Sequence, residues 1–217
     1  VLFVAVACGD LNLLKTLLNK KYLGSSESFF DPNCLRGDGV SPLLQACAVT
    51  PDNLGHGHEN GHSFESVRLG MVRALLEAGA SPFYTLESGH GPMYIAVQHG
   101  ALDVVRLLRL FGASLEVSPG CWSLVDIAAH SGHFHVAEEL LDMGAPATEL
   151  ALVLASSAGH ESSVDSLLMK GADPNKAVKH HGDQTKVPLS LALHAASCSG
   201  GARVVAALIE RGANIDT

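Results

Sequence analysis

The stretch Val104-Val105-Arg106-Leu107-Leu108-Arg109-Leu110-Phe111-Gly112-Ala113 decides the fold, because its pattern recurs along the chain. An apolar run at helical spacing ends in a Gly-Ala dipeptide. The same corner follows a similar run at Gly79-Ala80, Gly144-Ala145, Gly171-Ala172 and Gly212-Ala213. The intervals between corners are 33, 32, 27 and 41 residues, and periods of roughly 20 to 50 are typical of stacked repeats. The sequence therefore predicts an array of copied units.

Each unit contains two predicted helices. The first begins after a turn, as in Ser41-Pro42-Leu43-Leu44, where Ser41 can cap the backbone amides and Pro42 suits the first helical position. A glycine ends this helix, at Gly100, Gly132, Gly159 and Gly200. The second helix then runs to the Gly-Ala corner. Two such short helices cannot bury their apolar faces alone, so each pair is expected to pack on its neighbours.

These linked motifs resemble the ankyrin repeat, whose pattern is T-P-L-H-x-A-A, then G-H, then V-V-x-L-L, then G-A-x-x-N. The matching segments are Ser41-Pro42-Leu43-Leu44-Gln45-Ala46, Gly91-Pro92-Met93-Tyr94-Ile95-Ala96, Ser131-Gly132-His133, Ala158-Gly159-His160, Gly171-Ala172-Asp173-Pro174-Asn175 and Gly212-Ala213-Asn214. The resemblance implies an all-α solenoid of about six stacked helix-turn-helix units with short β-hairpin loops.

We expect a single array over residues 1–217. Its units are predicted at about 1–33, 34–82, 83–115, 116–146, 147–175 and 176–217, with an insertion of about 17 residues within 50–67. The first unit has its second helix at Leu11 to Leu18 and ends near Asn33, since Asp31-Pro32-Asn33 echoes Asp173-Pro174-Asn175. Because the chain lacks an initiator Met and stops just past a corner, the sequence predicts a fragment of a longer protein, in which the array or some other cap continues.

Charge and cysteine content narrow the function classes. The net charge is −8, and no window is rich in Lys or Arg, so nucleic acid is not expected as a partner and a basic peptide is favoured. The five cysteines have no short paired spacing, which argues against a disulfide framework and a Cys-type zinc site. This composition predicts a reducing, intracellular setting, with the cytoplasm as the expected compartment.

The apolar opening, residues 1–7, is far shorter than the roughly 20 residues that span a bilayer. It is interpreted as a buried first helix, and direct membrane insertion is not expected. It also lacks the basic leader of a signal peptide.

The insertion carries the one candidate metal site. His56, His58 and His62, with Glu59 between them, offer donors that zinc accepts. Their spacing matches no site with a rigid element to orient it. A solvated loop is therefore the favoured interpretation, and metal binding and weak pH sensing remain as alternatives.

No catalytic motif is present. The chain has no G-x-S-x-G elbow, no phosphate loop ending in Lys-Ser or Lys-Thr, and no H-E-x-x-H. His133, His160 and His194 match positions that are structural in the family. We therefore predict a protein without enzymatic activity or cofactor.

The resemblance points to the hairpin tips and the exposed side of the first helices, which line a concave groove in this family. The residues expected there are Arg36, Asp38, Tyr84, Leu86, Glu87, Tyr94, Gln98, Trp122, Asp126 and His130. Aromatic and Arg side chains are frequent interface anchors, and acidic groups attract a positively charged partner. For Trp122, packing beneath the turn is the alternative to an exposed anchor.

The predicted function is a scaffold or adaptor module that binds a protein or peptide segment in this groove. Two alternatives remain open at this stage. The array is a regulatory domain that contacts other parts of a larger enzyme, channel or ubiquitin-ligase subunit, or it is a metal-responsive module that uses the His-rich insertion.

Overall fold

The computed structural model describes residues 1–19, 30–50, 63–116, 122–176, 178 and 192–215. All regular elements within these ranges are α-helices, in agreement with the predicted fold class. The chain forms two compact units, each larger than a single repeat. From here on, unit 1 denotes Val1 to Ser114 and unit 2 denotes Leu115 to Thr217.

Each unit contains six of the described helices. In unit 1 they are α1 (Leu2–Ala7), α2 (Leu11–Leu18), α3 (Pro42–Ala48), α4 (Phe64–Glu77), α5 (Pro92–Gln98) and α6 (Leu102–Leu110). In unit 2 they are α7 (Leu124–His130), α8 (Phe134–Asp142), α9 (Glu149–Ser157), α10 (Glu161–Met169), α11 (Ala192–Ser199) and α12 (Ala202–Glu210).

Consecutive helices pair and the pairs stack. In unit 1, α1, α3 and α5 are the first helices, and each contacts its own second helix. Helix α3 also contacts α1 on one side and α5 on the other. The second helices α2, α4 and α6 form a parallel row. Unit 2 repeats the arrangement, with α7, α9 and α11 in one row and α8, α10 and α12 in the other. The core consists mainly of Ala, Leu and Val, whose small volumes let neighbouring helices approach closely.

The Gly-Ala corner ends the second helix by a defined hydrogen-bond pattern. At the end of α6, Gly112 N–H donates to Arg109 O at 2.9 Å and Ala113 N–H donates to Leu108 O at 3.0 Å. Gly112 has φ +89°, a conformation that costs glycine little because it has no Cβ. The pattern is the Schellman motif, which satisfies carbonyl groups that the helix leaves open.

The predicted helix start is also confirmed. Ser41 is the N-cap of α3, its Oγ accepts the Leu44 N–H at 3.2 Å, and Pro42 follows in the first turn. The second helix predicted at Leu11 to Leu18 is α2. Helix α4 begins at Phe64, inside the range 50–67 expected for the insertion, so the helix starts earlier than the sequence indicated.

Two asparagines join successive helix pairs at the exposed edge. In unit 1, Asn33 Nδ2 donates to Gly79 O at 3.0 Å, and Asn33 Oδ1 accepts the Ser81 N–H at 2.7 Å. In unit 2, Asn175 makes the equivalent pair of bonds with Gly212 O and the Asn214 N–H, at 3.0 and 2.7 Å. Each asparagine therefore bonds to the corner that follows it.

A buried carboxylate organises the start of α7. Asp126 Oδ2 accepts the N–H and the hydroxyl of Ser123 at 3.0 and 2.7 Å, and the Asp126 N–H donates to Ser123 Oγ at 3.1 Å. This reciprocal pair is a capping box. The Thr148 hydroxyl donates to Asp126 Oδ1, and Thr148 is itself the N-cap of α9. Asp126 therefore couples the starts of two first helices.

The first prediction concerns the asparagine bridge of unit 2. Asn175→Ala removes two hydrogen bonds, each contributing about 0.5–1.5 kcal/mol, so we expect a loss of about 1–3 kcal/mol in the free energy of unfolding. Hydrogen exchange at the Asn214 amide should accelerate. Asn12→Ala is the control, because Asn12 is exposed on α2 and alanine favours the helix. Equal stability of the two variants would contradict a bridging role for Asn175.

The second prediction concerns Asp126. Asp126→Ala leaves the Ser123 and Thr148 donors without their acceptor. We therefore expect the free energy of unfolding of unit 2 to fall by about 1–3 kcal/mol. Denaturant unfolding followed by the fluorescence of Trp122, the single Trp of the chain, measures it. Glu210→Ala, an exposed change in the same unit, should stay within about 0.5 kcal/mol of the wild type. A similar result for Asp126→Ala would rule out the coupling.

Candidate functional site

Two hairpin tips of unit 1 close by the same hydrogen bonds. In the first tip, Arg36 N–H donates to Val40 O at 3.0 Å and Gly39 N–H donates to Arg36 O at 2.8 Å. In the second, Leu86 N–H donates to His90 O at 3.1 Å and Gly89 N–H donates to Leu86 O at 2.8 Å. Seven of the predicted groove residues lie on these tips or the helix that follows. We call this set the tip surface: Arg36, Asp38, Tyr84, Leu86, Glu87, Tyr94 and Gln98.

Tyr84 joins the two tips. Its hydroxyl donates to Gly39 O at 2.8 Å while the ring stays half-buried. Leu86 also approaches Gly39, since a Cβ built at that glycine would lie 3.9 Å from Leu86 Cδ2. The Tyr84 ring is therefore held in place by a bond to the neighbouring tip.

Tyr94 is fixed by a different contact. Its ring stacks on that of His90, with centroids 4.0 Å apart and an interplanar angle of 23°. Tyr94 lies in the first turn of α5 and is half-buried, and Gln98 is exposed one turn later on the same helix. The spacing of four residues places both on one face of α5.

Charge on the tip surface is largely paired. Arg36 Nε lies 2.9 and 3.0 Å from the two carboxylate oxygens of Asp38, and Arg36 Nη2 also contacts this carboxylate. The hydrogen bonds from Arg36 lower the pKa of Asp38 to about 2, so that Asp38 is ionised at neutral pH. Its charge is offset by its neighbour. Glu87 is exposed at the second tip.

The remaining predicted residues lie in unit 2. Trp122 is half-buried, and its ring meets that of the exposed His130 edge-on, with centroids 4.8 Å apart and an angle of 83°. Asp126 differs from the other candidates, because it is buried and its carboxylate is engaged by Ser123 and Thr148. Its observed role is structural, so we leave it out of the binding surface proposed below.

A cysteine and a histidine of α11 lie in contact, with Cys198 Sγ 3.5 Å from His194 Nε2, and Cys198 is exposed. No group of three or more His, Cys, Asp and Glu side chains with metal-binding geometry occurs among the described residues, and His56, His58, Glu59 and His62 lie outside those residues. Cys47 is fully buried, and burial raises the pKa of its thiol to about 12. It therefore stays protonated at neutral pH and is a poor nucleophile.

Two of the histidines that the repeat pattern assigns to structural positions make contacts with other rings. His160 stacks on Phe134, with centroids 3.9 Å apart, and His133 meets His135 edge-on at 6.2 Å. None of the helices in the described ranges is both long enough and apolar enough to cross a bilayer.

Sequence reasoning missed two features. His90 was overlooked as the stacking partner of Tyr94, because a His in a turn carries no signal of its own. The exposed cluster of Phe83, Leu110 and Phe111 was also missed. A position-by-position comparison of the copies would have found it. Of the five Gly-Ala corners, the one at Gly112 has two large apolar residues, Leu110 and Phe111, immediately before its glycine. It also has an aromatic residue, Phe83, four positions after the glycine of the preceding corner.

Comparisons with known proteins agree with the geometry. The family model "Ankyrin repeat" matches residues 190–217. The ankyrin repeat protein nuc-2 of Neurospora crassa is 29% identical over 150 residues, which cover 64% of this chain and 14% of that protein. The matched region is thus a small part of that relative's length.

Solved structures give the same result. The crystal structure of the human ASB11 ankyrin repeat domain aligns with a TM-score of 0.71 and 25% identity, covering all of this chain and 85% of that one. An ankyrin repeat domain from Acinetobacter baumannii aligns with a TM-score of 0.70 and 22% identity over 98% of both chains. Together with the stacked helix pairs and the Gly-Ala corners, these matches support an ankyrin-repeat protein.

Proposed function

We propose that the chain is a non-catalytic scaffold segment that binds a protein or peptide segment through the tip surface of unit 1. Ankyrin repeat domains are in general protein–protein interaction modules. The observation that carries the finer proposal is the fixed pair of aromatic rings, with Tyr84 bonded to Gly39 and Tyr94 stacked on His90.

Fixed aromatic rings favour binding for an energetic reason. A side chain that is already ordered loses little conformational entropy when a partner arrives, and ordering a free one costs about 0.5–1.5 kcal/mol. Tyr84 and Tyr94 are ordered by their own contacts and remain partly exposed. Tyrosine also combines a large apolar ring with a polar hydroxyl, which suits a surface that must be wet when unbound.

The partner class follows from the charge of the surface. Arg36 and Asp38 offset each other, while Glu87 is an exposed carboxylate at the second tip. We therefore propose a partner segment with an apolar or aromatic anchor and at least one basic residue. The Trp122–His130 pair is a second candidate anchor, in unit 2. The cytoplasm is the proposed compartment, from the cysteine content alone.

The third prediction tests this surface. The wild-type chain captures its partner from cytosolic lysate, and the identified partner is then purified and titrated by calorimetry against single variants. Tyr94→Ala should weaken binding at least tenfold, as expected when a central aromatic anchor is lost. Tyr84→Phe keeps the ring but removes the bond to Gly39, so a smaller loss is expected, in line with a hydrogen bond of about 0.5–1.5 kcal/mol.

Three controls make the result interpretable. Met169→Ala truncates an exposed side chain on α10 and should leave the affinity unchanged. Thermal unfolding of each variant excludes loss of the fold. Trp122→Ala shows whether unit 2 contributes. If every variant binds as the wild type does, the site lies elsewhere. If no partner is captured, the intramolecular alternative, a regulatory domain in a larger protein, replaces the proposal.

A further inference from the structure

The corner at Gly112 lacks the asparagine bridge found at the corners of Gly79 and Gly212. Asn33 and Asn175 occupy the same repeat position and bond to the next corner, but at the position that precedes the Gly112 corner the residue is Phe83. The Phe83 ring lies across Gly112, and its Cζ would be 3.7 Å from a Cβ built there. A polar bridge is thus replaced by an aromatic ring that is 64% exposed.

The corner that Phe83 covers is itself apolar. Leu110 and Phe111 immediately precede Gly112 and are 80% and 37% exposed. At the same two positions before Gly79 the chain has Glu77 and Ala78. We call Phe83, Leu110 and Phe111 the corner patch. Three large apolar side chains gathered at one exposed corner leave hydrophobic surface in water, which is typical of a contact site.

Positive charge lies beside the corner patch. Arg109 uses one of its donors, with Nη1 bonding Ala113 O at 3.2 Å, and this bond holds the guanidinium at the edge of the patch. A guanidinium has five N–H donors, so most remain available to an acceptor. Arg106 is exposed one turn before Leu110, on the same face of α6.

The positive charge extends along the row of second helices in unit 1. The position of Arg106 is occupied by Lys15 in α2 and by Arg73 in α4, and all three side chains are exposed. Glu77 and Asp103 on α4 and α6 offset only part of this charge. In unit 2 the same repeat position holds Glu138 and Asp165, so the basic face is a local feature of an acidic chain.

We propose that the corner patch binds an acidic amphipathic helix of a partner protein. Its apolar residues would cover Phe83, Leu110 and Phe111, and a carboxylate would accept hydrogen bonds from Arg109. The corner patch shares no residue with the tip surface, although Phe83 immediately precedes Tyr84 in the chain. The partner has the opposite charge to the one proposed there. An apolar helix face laid on an exposed hydrophobic surface is a recurring recognition mode.

The size of the patch argues against a second copy of the chain as the occupant. A stable interface buries roughly 800 Å² on each partner. A large aromatic side chain contributes roughly 150–250 Å², and the side chains of the corner patch are already partly buried. The patch can hold one short helix but falls below the area that a stable dimer needs.

The fourth prediction uses a displayed library of random peptides about 15 residues long, about four helical turns. Selection on the wild-type chain, with counter-selection on Leu110→Glu, should enrich peptides that carry large apolar residues three and four positions apart beside Asp or Glu. The best peptide is then titrated by calorimetry. Leu110→Glu and Phe83→Asn should each lower its affinity at least tenfold, as loss of an anchor does.

Two variants separate the contributions. Arg109→Gln keeps a polar side chain but removes the charge, so it should reduce both the affinity and its decline with added salt. Met169→Glu is the matched control, because Met169 precedes Gly171 by two residues as Leu110 precedes Gly112, and it is also exposed. It should bind the peptide as the wild type does.

Phe83→Asn guards against loss of fold, since it installs the residue that bridges the corners at Gly79 and Gly212. The proposal is overturned if counter-selection leaves no enriched peptide, if the enriched peptides are basic, or if Leu110→Glu and Met169→Glu bind alike. A dimer in solution that Leu110→Glu dissociates would also overturn it, because a second copy would then be the occupant. The tip variants Tyr94→Ala and Tyr84→Phe should leave peptide binding intact, so the two surfaces can fail independently.

Discussion

The structure depends on one constraint, that a pair of short antiparallel helices cannot bury its apolar face alone. Each pair in both units is completed by the pair beside it, and the contacts run between adjacent first helices and adjacent second helices. The free energy of unfolding is then the sum of the intrinsic stabilities of the helix pairs and of the interfaces between neighbouring pairs. Residues such as Ala96 in α5 and Val105 in α6 are fully buried for this reason, although their own helices have only 7 and 9 residues.

Nearest-neighbour burial leaves the edges of the stack free to vary. Asn33 and Asn175 make the same bonds to the corners at Gly79 and Gly212. At the corner of Gly112 the equivalent residue is Phe83, yet Gly112 still ends its helix with a positive φ. The junction therefore forms without the polar bridge, and α4 and α6 still contact each other there. Positions that the stack does not require are those at which a binding surface can develop.

The sequence predicted the parts of the fold that repeat. Helix α2, the Ser41-Pro42 helix start and the Gly-Ala corners could be predicted because they follow from local sequence features, such as helical spacing, caps and glycines, that recur along the chain. Single features were harder to predict. Arg68 is buried on α4, paired with Glu65 and 5.0 Å from the centre of the Phe64 ring, in a helix that begins where a loop was expected. An arginine normally signals a surface, and only the fold shows that its neighbours enclose it.

The same distinction applies to the candidate site. Aromatic residues at the hairpin tips could be named from the repeat register, but the contacts that order them could not, since Gly39 and His90 carry no such signal in sequence. Charge was misleading in a similar way. A net charge of −8 favours a basic partner on average. However, the Asp126 carboxylate accepts internal hydrogen bonds, and Asp38 forms an ion pair with Arg36. Binding at the tip surface therefore rests on the two ordered rings more than on the overall charge. Since charge is local, one chain can present surfaces suited to partners of opposite sign.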